Sequence, residues 1–276
     1  MWRRSIVCIA LQSLVLIPCG AQHTFTPDCH NPTFPSPAPT HALGVDSKCP
    51  LTGDGGDEAN QNAAKNNFCA AGSAEVKTIA DLAQLQSDVA KDGTIHFGPK
   101  DDGPNKGPQV DRAPLQALGE GKLVSLTGYL VYVDQEGPEE VNCSKSVPLD
   151  PLFHDIHIEL ADSATADKCT GVVAEMVPHH RPDVWTADNV KKVKAAKLKV
   201  RVNGQLMFDS SHVPCQNGQV PSGNPERISL WEVHPIYQFE VCARGTCTSD
   251  QQWTPLDRWV ATKHAPVRGT PATSQP

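Results

Sequence analysis

Five runs of alternating apolar and polar residues, with one helical stripe between the third and the fourth, constrain this chain more than any other feature. The runs are KLVSLTGYLVYV, DIHIELA, CTGVVAEMV, LKVRVNGQLMF and ISLWEVHPIYQFEVC, at 122–133, 155–161, 169–177, 198–208 and 228–242. A period of two sends successive side chains to opposite faces, so each run buries one face and keeps polar groups on the other. In the first, Val124, Leu126, Leu130 and Tyr132 share a face. In the fifth, Trp231, Val233, Tyr237, Phe239 and Val241 are expected on one side, with Glu232, His234, Gln238 and Glu240 on the other. The helical stripe is TADNVKKVKAAK, where Thr186 or Asp188 can cap the first turn.

Five strands with a single helix after the third is the order of an OB-fold, and the mid-strand Gly128 and Gly204 suit a small, strongly coiled barrel. The expectation is a mainly β, OB-fold-like five-stranded barrel over 122–245. A β-sandwich would more often carry further strands and no helix at this point. Pro235 lacks an N–H, so the fifth strand must bend there or run along an edge.

The rest of the chain reads differently. Residues 1–21 have two arginines, a short apolar run and small residues at Gly20 and Ala21, the layout of a signal peptide. That points to a secreted or periplasmic protein. A lipid anchor at Cys19 is the alternative, with Pro18 standing where a small residue is wanted. Residues 22–121 read as a mostly irregular N-terminal region with one helix at about 76–90, where Val76, Ile79, Leu82, Leu85 and Val89 form a stripe. Within it, TGDGGDEANQN offers oxygens but misses the EF-hand spacing, so it reads as a turn-rich loop. Residues 246–276 form a C-terminal extension, expected to be disordered from about 260.

Eight cysteines follow the leader: Cys29, Cys49, Cys69, Cys143, Cys169, Cys215, Cys242 and Cys247. An even count in an exported chain, with no C-x-x-C pair, favours disulfides over metal thiolates. Cys242 and Cys247 are close enough to staple a turn; the remaining pairings stay open. The formal charge is −7, more negative without Arg3 and Arg4, which disfavours non-specific binding to phosphate backbones. The lysine run at 191–199 reads as a solvated helix face.

The chemistry lies on the polar faces. If the third strand lies between the second and the fifth, His157, Glu159, Glu175, Glu232 and His234 form one strip outside the barrel, where OB domains usually take ligands. Arg201 comes from the fourth strand towards its edge. His154 and Asp155 stand at the base of one long loop, and Asp209 and His212 in another, with Cys143 and Cys215 pinning them. Three readings fit. The strip is a solvated face of cross-strand pairs; or it binds an extended oligosaccharide, peptide or nucleic acid; or His157 and His234 with Glu159 or Glu232 hold a divalent metal such as zinc that activates water. The first two make the chain a structural or binding module, and the third a metal-dependent hydrolase of nuclease or phosphoesterase type. No G-x-S-x-G, H-E-x-x-H or phosphate-cradling glycine loop is present.

The stretches HDIHIEL, VRVNGQLMFDSSH and WEVHPIY together resemble a group of uncharacterised secreted bacterial proteins. That resemblance implies topology and export rather than a particular chemistry. Secreted OB-barrel nucleases resemble the chain in topology only.

Overall fold

The computed structural model describes residues 48–99, 107, 109–143, 151–215, 220–221 and 225–264. The leader, Cys29 and the end of the C-terminal extension lie outside the described residues. The first elements are helix α1 (Ala59–Lys65), strand β1 (Glu75–Lys77), and helices α2 (Ile79–Lys91) and α3 (Ala113–Leu118). Next come β2 (Leu123–Gln135), β3 (Ile156–Ala161), β4 (Val172–Met176), helix α4 (Ala187–Ala195), β5 (Lys199–Phe208) and β6 (Trp231–Val241). A two-residue strand β7 (Thr254–Pro255) and helix α5 (Leu256–His264) follow.

Strands β2, β3, β4, β6 and β5 pair in that order, and β5 pairs back onto β2 to close the cylinder. Only the β4–β6 junction within it is parallel. This is the expected OB-like barrel, with β1 added in parallel outside β2 and β7 outside β6. Its interior holds Leu126, Leu130, Ile156, Ile158, Leu160, Val200, Val202 and Phe239, all essentially without solvent contact. Trp231 packs beside Phe208, with ring centroids 5.2 Å apart. Helix α4 packs on β2 and sends Val190 and Val193 into the core. Thr186, not Asp188, is its N-cap, accepting from the Asn189 N–H.

Helix α2 starts at Ile79 because Thr78 and Asp81 form a reciprocal capping box. The residues before it, 75–77, are therefore strand rather than helix. The helix packs against β6 and is tied there by two side chains: the Ser229 hydroxyl donates to the Leu82 carbonyl, and Gln86 accepts the Leu230 N–H. The region before the barrel is thus more regular than its composition indicates. The C-terminal extension also gains structure, since Leu256 and Trp259 of α5 are buried in the main core.

Pro235 neither ends β6 nor moves it to an edge; β6 runs between β4 and β5. The interruption is absorbed as register shifts around Gly204 of β5. A Cβ on Gly204 would stand 2.3 Å from the Pro235 carbonyl oxygen, so the glycine makes room for the irregular strand. The shift also turns Tyr237 out of the barrel, against the expected alternation. It stacks on Phe68 at 5.4 Å, accepts the Ala70 N–H and donates to the Asn67 carbonyl.

Three disulfides are described: Cys49–Cys143, Cys169–Cys215 and Cys242–Cys247. Cys69 is also disulfide-bonded. The first bridge ties the segment entering α1 to the loop after β2. The second joins the β3–β4 turn to the β5–β6 loop.

Candidate metal centre

Alternation along β3 places Ile156 and Ile158 inside the barrel and His157 outside. Register does the rest. His157 lies opposite Glu175 of β4, and Ala174 of β4 lies opposite Val233 of β6. Glu175 is thereby set between His157 and His234, three side chains on three adjacent strands. The Nε2 atoms of His157 and His234 lie 3.3 and 2.7 Å from the same oxygen, Glu175 Oε2. Asp155 completes the group: one of its oxygens can lie within 4.8 Å of ligand atoms from both Glu175 and His234. A second, overlapping set joins Asp155 and His157 to Glu139 of the loop after β2.

The other ring nitrogens settle how these imidazoles can act. His234 Nδ1 is 2.7 Å from the Lys65 carbonyl oxygen. A carbonyl only accepts, so Nδ1 carries the proton and donates. In the neutral ring, Nε2 is then a lone pair facing the carboxylate. His157 Nδ1 is 3.1 Å from Glu136 Oε1, which again leaves Nε2 towards Glu175. An imidazole anchored through one nitrogen to a carbonyl or carboxylate, with the other nitrogen turned inward, is the arrangement that metal-binding histidines use.

The group is buried. His234, Glu175 and Asp155 have at most 1 % exposure, and His157 has 4 %. Both Asp155 oxygens, Glu175 Oε2, both Nε2 atoms and His157 Nδ1 complete no hydrogen bond of good geometry, so Glu136 meets His157 as an ion pair by distance. Burial works to raise Glu175, but the His157 and His234 rings more than offset it and hold the carboxyl well below its usual range. Burial also opposes charge on His157, yet Glu175, Glu136 and Glu139 raise it well above an ordinary histidine. Asp155 is pushed well up, first by burial and then by the Glu139 and Glu175 charges.

The strip is not a wet strand face, because the chain's own N-terminal segment lies over it. Gln61, Asn62, Lys65, Asn66 and Asn67 are all buried there. Gln205 of β5 donates to the carbonyls of Ala64 and His234, and Asn67 pairs with the Gln205 side chain. Lys65 Nζ sits 2.9 Å from Asp209 Oδ2. His212, with its side chain 44 % exposed, brings Nε2 to 3.4 Å from the same oxygen. Glu232 faces Arg227, Nη1 to Oε2 at 3.1 Å.

Of the candidate residues, the structure brings Asp155, His157, Glu175 and His234 into one cluster. Asp209, His212 and Glu232 lie beside it in the same polar layer. Glu159 and Glu232 are not within ligand distance of the histidines; Asp155 and Glu175 take those places. Glu159 instead turns towards Gly171, where a Cβ would stand 2.5 Å from its Oε1. Arg201 is elsewhere, bound to Glu240 and Asp250 and stacked over Trp253. His154 contributes its carbonyl, which accepts from Arg181. Sequence reasoning missed Lys65, Gln61, Glu136, Glu139 and Arg227. Only the acidic QEGPEE stretch after β2 signalled any of them.

No protein-family model and no curated protein matches the chain. Two solved structures show a distant likeness. One is an Entamoeba histolytica asparaginyl-tRNA synthetase, 13 % identical, with 48 % of this chain aligned to 23 % of that one at a TM-score of 0.22. The other is an OBody, AM3L09, bound to hen egg-white lysozyme, 12 % identical, with 43 % of this chain aligned to 81 % of that one and the same TM-score of 0.22. At such scores neither carries an argument about this chain.

Among the described residues no helix is long and apolar enough to cross a membrane.

Proposed function

We propose that this chain is an exported metalloprotein that holds one divalent ion, zinc by its ligand chemistry, between His157, His234, Glu175 and Asp155. The observation that carries this reading is the shared Glu175 oxygen: two imidazoles from different strands aim Nε2 at it, one anchored by Nδ1 to a carbonyl and the other set beside a carboxylate. Two nitrogens and two carboxylates suit a tetrahedral zinc site. Rigid strands supply three of the four donors, which keeps the geometry fixed. An extended oligosaccharide, peptide or nucleic acid on this strip would have to displace α1, which counts against the open-groove reading. Oxidised cysteines and the leader-like first residues support export.

A hydrolytic role requires that only three of these donors bind the ion directly, with Asp155 turned to a water in the fourth position; zinc then lowers the pKa of that water to about 7 and polarises a carbonyl or phosphoryl oxygen. It is favoured by the Asp209–His212 pair beside the cluster, whose imidazole is 44 % exposed, and by the half-buried Glu139.

Metal analysis of untagged, full-length protein tests the reading. One zinc per chain is expected in the wild type, with loss in the His157→Ala, His234→Ala double variant. Wild-type protein that takes up no divalent ion after dialysis against each in turn would sink it. Turnover of bis(p-nitrophenyl) phosphate by loaded but not by stripped protein then separates a hydrolase from a metal-stabilised structural module.

A further inference from the structure

We propose that the centre takes a second divalent ion, held by Glu139, Asp155 and His157, with the Asp155 carboxylate bridging it to the first. The inference rests on the metal reading above and extends it.

The donors sort themselves into two triads. Ligand atoms of Asp155, Glu175 and His234 lie within 4.8 Å of one another, and so do those of Glu139, Asp155 and His157. Only Asp155 belongs to both. It stands at the entry to β3, where its carbonyl accepts the Glu136 N–H at 3.0 Å. Alternation then puts its side chain on the same side of the strand as His157. Glu139 arrives from the loop after β2, immediately before the 3-10 turn Glu140–Asn142. Cys143, which closes that turn, is bridged to Cys49, so the loop is stapled close to the carboxylate it supplies.

Two observations call for a second cation. The first is the state of the shared carboxylate. Asp155 has no solvent exposure, and both of its oxygens are without a hydrogen-bond partner. A single ion held through one oxygen leaves the other unanswered and buried, which is costly. A carboxylate between two ions uses both. Glu139 Oε2 is likewise buried and unanswered. The second observation is charge. Asp155, Glu175, Glu139 and Glu136 stand around the two imidazoles, four carboxylates in all. The buried cations of the same layer, Lys65 and Arg227, are engaged by Asp209 and Glu232. One dication leaves two of the four negative charges uncompensated, and two dications cancel them all.

The second ion also changes what the first can do. With one ion bound, water reaches it only if Asp155 lets go. With two, His157 passes to the second ion and Asp155 stays as the bridge. Each ion then keeps three protein donors and an open fourth position. Ions in such pairs stand about 3.5–4 Å apart.

Zinc content measured on untagged, chelator-stripped full chain at rising free zinc is the test. One ion per chain is expected at stoichiometric zinc and two in excess. Glu139→Gln, at a half-buried loop position, should keep the first ion and weaken the second by more than about tenfold, since removing even an outer-shell partner costs about 10–100-fold. Glu140→Gln, its exposed neighbour, should keep both and controls for adventitious zinc on the surface. With cobalt in place of zinc, ions sharing a carboxylate couple their spins, so the paramagnetic resonance signal per ion should fall as the second equivalent binds. Wild-type protein that stops at one ion, a second ion held equally by Glu139→Gln or lost equally by Glu140→Gln, or two independent cobalt signals would each overturn the bridged pair while leaving the one-ion reading in place. No ion at any concentration would overturn both.

Discussion

Lys65, at the end of α1, places its ammonium 2.9 Å from Asp209 Oδ2, on the strand end after β5. The pair is buried on both sides, with side-chain exposures of 9 % and 0 %. Burial alone would strip the charge from each. Asp209, with Glu175, Glu139 and Glu232, instead raises Lys65 well above its usual value, while Lys65, His212 and Arg227 hold Asp209 well below its own. The ion pair is what lets an N-terminal helix lie over an acidic strip. Breaking one side leaves a buried, uncompensated charge, which costs about 3–5 kcal/mol. Lys65→Met should therefore destabilise the protein by about that amount in urea unfolding, and adding Asp209→Asn should restore part of it. A loss under about 0.5 kcal/mol, the range of an ordinary surface change, would show that the pair is unimportant.

The same pair sets an acid limit. The Asp209 carboxyl loses its proton far more readily in the folded protein than in the unfolded chain, where its pKa is about 3.9. Its contribution to stability is then complete above that value and is lost as pH falls below it towards the depressed folded pKa. Urea midpoints measured from pH 6 downwards should drop more steeply below about pH 4 in the wild type than in Asp209→Asn. Parallel curves for the two proteins would rule out this source of acid sensitivity.

The Cys49–Cys143 bridge closes a span of 94 residues and ties the segment leading to α1 to the loop that carries Glu139. Removing a native disulfide from an exported domain costs about 2–5 kcal/mol. Cys49→Ser with Cys143→Ser should lower the unfolding free energy by that order. It should also speed hydrogen exchange in 59–68 more than in β2 or β6, because the staple acts on the cover and not on the barrel. Uniform acceleration across the barrel strands would argue that the cover and the barrel are one cooperative unit.

The barrel was legible because its strands obey a strict two-residue period and its helix obeys another. Ile156, Ile158 and Leu160 face inward as the pattern requires, and pairing of β4 with both β3 and β6 follows from the OB order. The histidines were legible for the same reason: a residue beside a core isoleucine must point out. What lies over them was not. The segment NQNAAKNNF has no apolar period, so nothing in it marks a buried helix. Its burial comes from amides that match individual loop and strand groups, as when Asn66 donates to the Leu51 and Val141 carbonyls and Asn67 pairs with Gln205 of β5. Such one-to-one polar pairing leaves no periodic trace. Tyr237 was misplaced because a bulge at Gly204 shifts the strand after Pro235, and alternation carries no memory across a bulge.

Glu232 offers a contrast with Asp209 inside the same layer. Burial, followed by the Glu175 and Asp209 charges, raises its carboxyl well above the usual range despite Arg227 and Lys65. A carboxyl shifted in that direction resists ionisation, and an amide of the same shape should replace it with little loss. Glu232→Gln is expected to change stability by less than about 1.5 kcal/mol, the cost of an isosteric swap, and to leave zinc content unaltered. A loss near the ~3–5 kcal/mol of a broken buried pair would mean that Glu232 is ionised against Arg227 instead.

Gly204 tests the geometry of the irregular strand directly. A Cβ there would meet three neighbours at once: the Pro235 carbonyl oxygen at 2.3 Å, Val233 Cγ1 at 2.6 Å and the Ile236 Cα at 3.1 Å. Two of these are backbone atoms, which cannot swing aside as a flexible side-chain end can. Gly204→Ala should force β5 and β6 apart next to His234, costing about 1–3 kcal/mol or more. The expected signature is a lowered melting temperature together with weakened zinc retention, because His234 immediately precedes the displaced Pro235. Gly137→Ala is the control, since a Cβ there meets nothing within 4 Å. Equal melting temperatures for the two alanine variants would mean that β5 and β6 do not approach as closely as described.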